Sequence, residues 1–258
     1  MSNKKYMIII FGNHSNDWME AFSELESENL IHVKSFREVL KFKDLDNYLI
    51  IPLVEKEIQL LFRFKNNLQS SFCGFYNFKC KYKFSQYVKK NQLQDFCPLY
   101  FNYGNIQYPC VSKPFNLSNG KSVEIHYKPF NTEDNKVIQE YIPSPQEYVS
   151  HIVSKNGVII ECITYMYTPL NPQLNGHYIN NCNLIKEVTK VDIHFKSIFE
   201  KFLKPVLYTG VCNIDYKIVN GLPKIFEINP RLGGSLMRKS FREDLKKIIS
   251  ALVESYTL

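Results

Sequence analysis

Residues 211–236, VCNIDYKIVNGLPKIFEINPRLGGSL, constrain the fold of this chain more than any other stretch. Two runs rich in Val, Ile, Tyr and Phe flank Asn220-Gly221, a strong short-range turn signal, so the stretch reads as a β-hairpin. Strand alternation sorts its side chains. Cys212, Ile214, Tyr216, Ile218, Phe226 and Ile228 take one face, and Asn213, Asp215, Glu227, Asn229 and Arg231 take the other. A two-residue loop at 220–221 puts Asp215 and Glu227 on opposite faces, whereas an odd loop, 220–222 or 219–223, makes them neighbours. Pro223 has no N–H for a ladder and fits at or inside such a loop, so the odd length is the expectation.

Two carboxylates about 4 Å apart repel by roughly 4 kcal/mol at an effective dielectric of 20. Opposed like charges in a sheet need a reason. A hard divalent cation supplies one, because Mg²⁺ takes one or two carboxylates and completes its octahedron with phosphate and water. Asn229 adds an amide oxygen on the same face, and Arg231 suits a phosphoryl group. The plainer alternative is a solvated hairpin face, since single charged side chains are mostly just exposed.

The pattern of Asp215 followed twelve positions later by Glu227-x-Asn229-x-Arg231, with Gly233-Gly234-Ser235 after it, resembles the metal-binding end of the ATP-grasp family. The resemblance implies Mg²⁺ (or Mn²⁺) on Asp215, Glu227 and Asn229 between ATP phosphates, with Arg231 at the reacting phosphate. It extends upstream. A lysine opening the basic helix is implied to reach the phosphates; matching the apolar positions to Val88 and Leu93 selects Lys81, with Lys83 a close competitor. The strand ending at Lys113 and the loop containing Ser118 and Gly120 resemble the family's phosphate-handling strand and loop, although this loop has a single glycine. Backbone of Glu140, Tyr141 and Ile142 is implied to meet adenine, and Glu147 the ribose hydroxyls. The resemblance covers about residues 78–250.

The remaining chain fits that frame. At 258 residues and 45% hydrophobic, it can bury one to three compact lobes. Residues 1–75 alternate strand and helix patterns, from the apolar run Tyr6–Phe11 through helix Asn16–Glu28, strand Ile31–Val33, helix Phe36–Lys43, strand Tyr48–Pro52 and helix Glu55–Lys65. Such alternation argues for a doubly wound α/β layer. The polar loop Gly12–Asn16 follows its first strand; its His14 reads as a loop residue rather than a base. Later strands are expected at Ile106–Lys113, Val123–His126, Val137–Ile142, Tyr148–Val153 and Val158–Met166, with helices at Val191–Leu203 and Arg238–Tyr256. The Pro/Asn-rich segment Thr168–Asn183 has the length of a substrate lid.

Net charge of +7 suits an anionic ligand. The patch FKCKYKFSQYVKK interleaves Lys with aromatics, as single-stranded nucleic-acid binders do, but a helix with a solvated lysine face is the more frequent explanation of its apolar spacing. Seven Cys without CxxC pairs read as reduced thiols, and no apolar run is long enough to span a bilayer. The start has too short an apolar stretch for a leader, so a cytoplasmic location is expected.

These readings give an α/β and α+β chain with the ATP-grasp fold and a short N-terminal doubly wound α/β lobe. The expected division is an N-terminal lobe at 1–77, a small subdomain with phosphate loop and hinge at 78–147, and a C-terminal subdomain with the metal site at 148–258. The implied activity is an ADP-forming carboxylate–amine ligase using ATP and Mg²⁺, with Arg231 and Lys113 catalytic. Its partners are a small carboxylate and an amine, not a membrane or nucleic acid, with a homodimer left open. An ATP-grasp kinase and a non-catalytic nucleotide-binding module stay as alternatives. One departure stands out: ligases of the D-alanine type carry Arg two residues before the first metal acid, and this chain has Asn213.

Overall fold

The structure, a computed structural model, describes residues 7–25, 30–43, 45–62, 72–115, 123–171, 185–193 and 195–257. Among these, three sheets organise the chain. The first is parallel, in the order β2 (Leu30–Val33), β1 (Met7–Phe11), β3 (Tyr48–Pro52), with α1 (Asn16–Ser23) and α2 (Phe36–Val39) in the crossovers and α3 (Glu55–Leu61) after β3. β1 is apolar throughout because both faces are covered. Ile8 and Ile10 pack with Trp18 and Phe22, while Ile9 and Phe11 pack with Val33, Val39 and Leu61.

Two short helices, α4 (Phe72–Phe78) and α5 (Lys81–Lys90), lead into an antiparallel four-stranded sheet. Its order is β4 (Tyr100–Phe101), β7 (Lys136–Glu140), β5 (Cys110–Pro114), β6 (Glu124–His126). The third sheet is antiparallel and larger: β10 (Ile185–Val191), β9 (Val158–Pro169), β8 (Glu147–Lys155), β11 (Gly210–Val219), β12 (Leu222–Asn229). Helices α6 (Lys196–Leu203) and α7 (Arg242–Thr257) complete the described elements. The helix expected from Val191 starts later, at Lys196: Val191 ends an edge strand that pairs with residues 164–169 of β9. Asn156-Gly157 forms the second hairpin turn with φ of 51° and 80°. A Cβ on Gly157 would come within 2.4 Å of Lys204 Cα, so glycine is required twice over there.

The two faces of the large sheet have different partners. Cys212, Ile214, Tyr216, Ile225 and Ile228 pack under α5 and α6. Val149, Val153, Tyr165 and Val211 pack under α7 and continue into the core of the parallel sheet through Leu232, Leu236 and Met237. The first and third sheets therefore share one core, which fixes the rim of the parallel sheet against the polar end of β11.

The hairpin corrects the expected loop. Val219 pairs with Leu222 and Ile218 with Pro223, so the turn is the two residues Asn220-Gly221, at φ 51° and 77°. The extra residue lies within β12 instead: Tyr216 pairs with Ile225 and Asp215 with Glu227, leaving Phe226 as a β-bulge. The carboxylates are neighbours because the bulge, not the loop, shifts the parity. Pro223 is tolerated because β12 is an edge strand. Among the described residues no helix is long and apolar enough to cross a membrane. Cys80, Cys97, Cys110, Cys162 and Cys212 are free thiols.

Candidate active site

A cleft of about 600 Å³ opens between the parallel sheet's helical rim, the start of α5 and the polar end of the large sheet. Asp215, Glu227, Asn229 and Arg231 line it, together with Lys81, Glu55, His14, Trp18, Tyr167 and Ser235. Strand pairing builds its floor. Asp215 stands opposite Glu227, and Asn213 opposite both Asn229 and, on its other side, His151. Asn229 Nδ2 donates to Asp215 Oδ2 and Asn213 Oδ1 at 3.0 Å each, and to Glu227 Oε1 at 3.4 Å. Burial, followed by the Glu227 charge, pushes the Asp215 carboxyl well above its ordinary pKa.

That arrangement fits a divalent cation. Two facing carboxylates, one of them costly to ionise as it stands, and an amide on the same face are hard oxygen donors in need of positive charge. Among the described residues no cluster of three or more His, Cys, Asp or Glu could hold a metal, so a cation here would need further oxygens from phosphate or water. Lys81 Nζ lies 3.3 Å from Glu227 Oε2 and supplies positive charge there. Arg231 Nε is 3.7 Å from Glu55 Oε1, and its Nη1 donates to the Leu232 carbonyl at 2.9 Å. Burial raises the Glu55 carboxyl against the pull of Arg231.

A second recess lies against the hinge, lined by Val111, Lys113, Gln139, Glu140, Tyr141, Ile142, Lys217 and Phe226. Lys113 is 4% exposed, with Nζ 4.9 Å from the Phe226 ring centroid. Desolvation lowers its pKa to about 8. Phe226 was expected beside Ile228 in the core; the bulge turns it toward Lys113, and Ile225 takes the core position. Lys83 leaves the site, its Nζ standing 3.3 Å from the Tyr76 ring centroid.

Glu147 differs most from expectation. It is fully buried, lines neither recess, and pairs with Lys217 Nζ at 3.8 Å, while Lys217 donates to the Ile142 carbonyl at 3.3 Å. A carboxylate with no accessible surface offers nothing to ribose hydroxyls in this conformation, so the structure gives it a core ion pair instead. Ser118 and Gly120 lie outside the described residues, as does most of the proposed lid. The aromatics of the basic patch are not free for base stacking: Phe78, Phe84 and Tyr87 are core, and Tyr82 stacks on Phe115 at 4.9 Å.

Sequence reasoning missed the contributions of Glu55, Trp18 and Tyr167. Each is separated in sequence from the hairpin or reads locally as an ordinary core or helix residue. His14, read as a loop residue, stacks on Trp18 at 4.0 Å between centroids at the cleft mouth.

Fold and site together set a facing carboxylate pair, with Lys81 and Arg231, in one cleft beside the large antiparallel sheet. The ATP-grasp domain profile matches residues 79–235. The chain belongs to the ATP-grasp family, whose cofactors are ATP and Mg²⁺ or Mn²⁺. Its fold is similar to that of D-alanine–D-alanine ligase from Bacillus anthracis, at 14% identity and TM-score 0.65, covering 98% of this chain and 97% of that one. Phosphoribosylamine–glycine ligase from Thermotoga maritima matches at 16% identity and TM-score 0.70, covering 97% and 75%. L-amino acid ligase from Bacillus licheniformis matches at 12% and 0.62, covering 97% and 74%. Curated protein sequences give no significant match.

Proposed function

We propose that this chain is an ADP-forming ligase that activates a small carboxylate as an acyl phosphate and joins it to an amine. The observation that carries the reading is the facing pair Asp215 and Glu227, set in one cleft with Lys81 and Arg231. Asp215, Glu227 and Asn229 would hold Mg²⁺. When bound, the cation neutralises phosphate charge and polarises the transferring group.

The chain's own residues account for the remaining requirements. Lys113 and Lys81 bring ammonium groups to the phosphates, and backbone at Glu140–Ile142 offers the base a flat hinge beside Phe226 and Val111. Arg231 is a fixed cation for charge that develops on the transferring phosphoryl group. Its contact with Glu55 holds it at the cleft wall until a more anionic partner arrives. No protein nucleophile is needed, because phosphoryl transfer is mostly positioning and electrostatics.

The test is ADP release from Mg²⁺-ATP across a panel of amino acids and other small carboxylates, with hydroxylamine as trap. Substrate-dependent ADP with a trapped hydroxamate is the expected result. A stable phosphorylated product would make the chain a kinase, and ATP binding without ADP would make it a non-catalytic module.

A further inference from the structure

Charge develops on the acyl oxygen during carboxylate activation and amide formation, and a preorganised donor is the usual answer. Asn213 is partly committed elsewhere. Its Nδ2 donates to the Arg231 carbonyl at 3.1 Å and its Oδ1 accepts from Asn229 Nδ2 at 3.0 Å, so it braces the floor.

A different group is set up behind the same wall. His151 neighbours Asn213 across the sheet and is fully buried, with Nε2 2.6 Å from Ser235 Oγ. The loop carrying Ser235 lies flat on the imidazole: a Cβ on Gly233 would fall 2.3 Å from His151 Cε1. Burial first, and Arg231 second, push His151 down to about 3, so it is neutral. Its Nδ1 has no hydrogen-bond partner among the described residues. A buried donor left unmet is rarer than an unmet acceptor, so the proton belongs on Nε2. Nε2–H then donates to Ser235 Oγ, and the serine hydrogen is left for another acceptor. Ser235 and Tyr167 line the cleft together, and Ser235 acts against the burial that raises the Tyr167 phenol. Tyr167 is 3% exposed, lines the cleft, and is held as a neutral phenol by burial, at about 12.

We propose that Tyr167 is a catalytic residue whose hydroxyl donates to the acyl oxygen, with Ser235 and His151 as positioning residues that fix the direction of its hydrogen. The chain of donors runs His151 Nε2–H to Ser235 Oγ, Ser235 O–H to Tyr167 Oη, and Tyr167 O–H into the cleft. This rests on the carboxylate-activating reading given above and assigns a donor besides the Asn213 amide.

Two measurements on the full chain test it. ¹⁵N NMR of labelled histidine should show His151 as the neutral Nε2–H tautomer, its signal moved by Ser235→Ala. ADP formation is then followed with Mg²⁺-ATP, hydroxylamine and a mixture of the protein amino acids with D-alanine. Tyr167→Phe should lower kcat about 10²-fold, the scale for losing one such donor, with KM for ATP unchanged. His151→Leu should lower kcat about 10-fold and His151→Gln, which keeps an N–H near the Nε2 position, should restore most of it. An Nδ1–H tautomer, or Tyr167→Phe at wild-type kcat beside an active wild type, overturns the proposal. A wild type that makes no ADP overturns the ligase reading, and the role of Tyr167 with it.

Discussion

Lys81 Nζ stands 3.3 Å from Glu227 Oε2, so in the absence of a cation the acid pair is held by the first residue of α5. Lys83, two positions on, lies over Tyr76. Arrival of Mg²⁺ would release Lys81 toward the phosphates. Lys81→Ala should weaken Mg²⁺-ATP binding about 10-fold, or ~1.4 kcal/mol. The pair is partly solvated, so metal-free stability should change by under about 1 kcal/mol. Lys83→Ala should match wild type in calorimetric titrations; equal losses would mean general attraction and no special role for Lys81.

Asp215 gives a pH signature. Its folded pKa is raised, by burial first and Glu227 second, above the ordinary 3.8. The stability linked to its protonation is complete below that ordinary value and is lost as pH rises through the raised folded value. Asp215→Asn should therefore raise Tm in EDTA at neutral pH by about 2–4 °C, for ~1 kcal/mol, and flatten the decline above the ordinary value. With Mg²⁺-ATP the order should reverse, since wild type gains about 2.7 kcal/mol at a hundredfold excess over Kd. Parallel Tm shifts in both conditions would remove the metal site.

Lys113 has the opposite sign. Desolvation brings it from 10.5 to about 8, so the folded state sheds this proton first and stability rises with pH between those values. ATP affinity should fall over the lower part of that window, as the ammonium is lost. Lys113→Met should bind ATP weakly at every pH, with the inflection near 8 gone. An unchanged inflection in the mutant would assign the titration to another group.

The Glu147–Lys217 pair predicts a stability effect where the resemblance predicts a binding one. Glu147→Ala leaves the Lys217 amine buried without its carboxylate and should cost about 3–5 kcal/mol in urea unfolding. Glu147→Gln with Lys217→Met should recover most of that. If Glu147→Ala unfolds like wild type but binds ATP weakly, the residue reaches ribose after all.

What could be read from the sequence was local. The period-two pattern of β11 placed Cys212, Ile214 and Tyr216 on one face and Asp215 on the other, as the two cores show. The apolar run of β1 announced a sheet covered on both sides. The pairing of Asp215 with Glu227 was inferred correctly from the wrong cause, because nothing in PKIFEIN marks a bulge at Phe226. The Lys217 contact with Glu147 and the Arg231 contact with Glu55 join positions 70 and 176 residues apart. No periodicity encodes such meetings; the first follows from the pairing of β8 with β11 and the second from the docking of the parallel sheet's rim on the large sheet.

The bulge at Phe226 also decides which changes of length the hairpin can absorb. Were the ladder to run unbroken past Tyr216–Ile225 with Phe226 retained, Phe226 would face Asp215 and Glu227 would meet Ile214 in the apolar layer beneath α5 and α6, whereas removal of Phe226 would leave Glu227 opposite Asp215. Insertions at Asn220-Gly221 are far from the carboxylates and, two residues at a time, leave their parity untouched. The tip of this hairpin is therefore open to drift in length, while the bulge eight residues before Gly234 keeps the reading frame of the metal site.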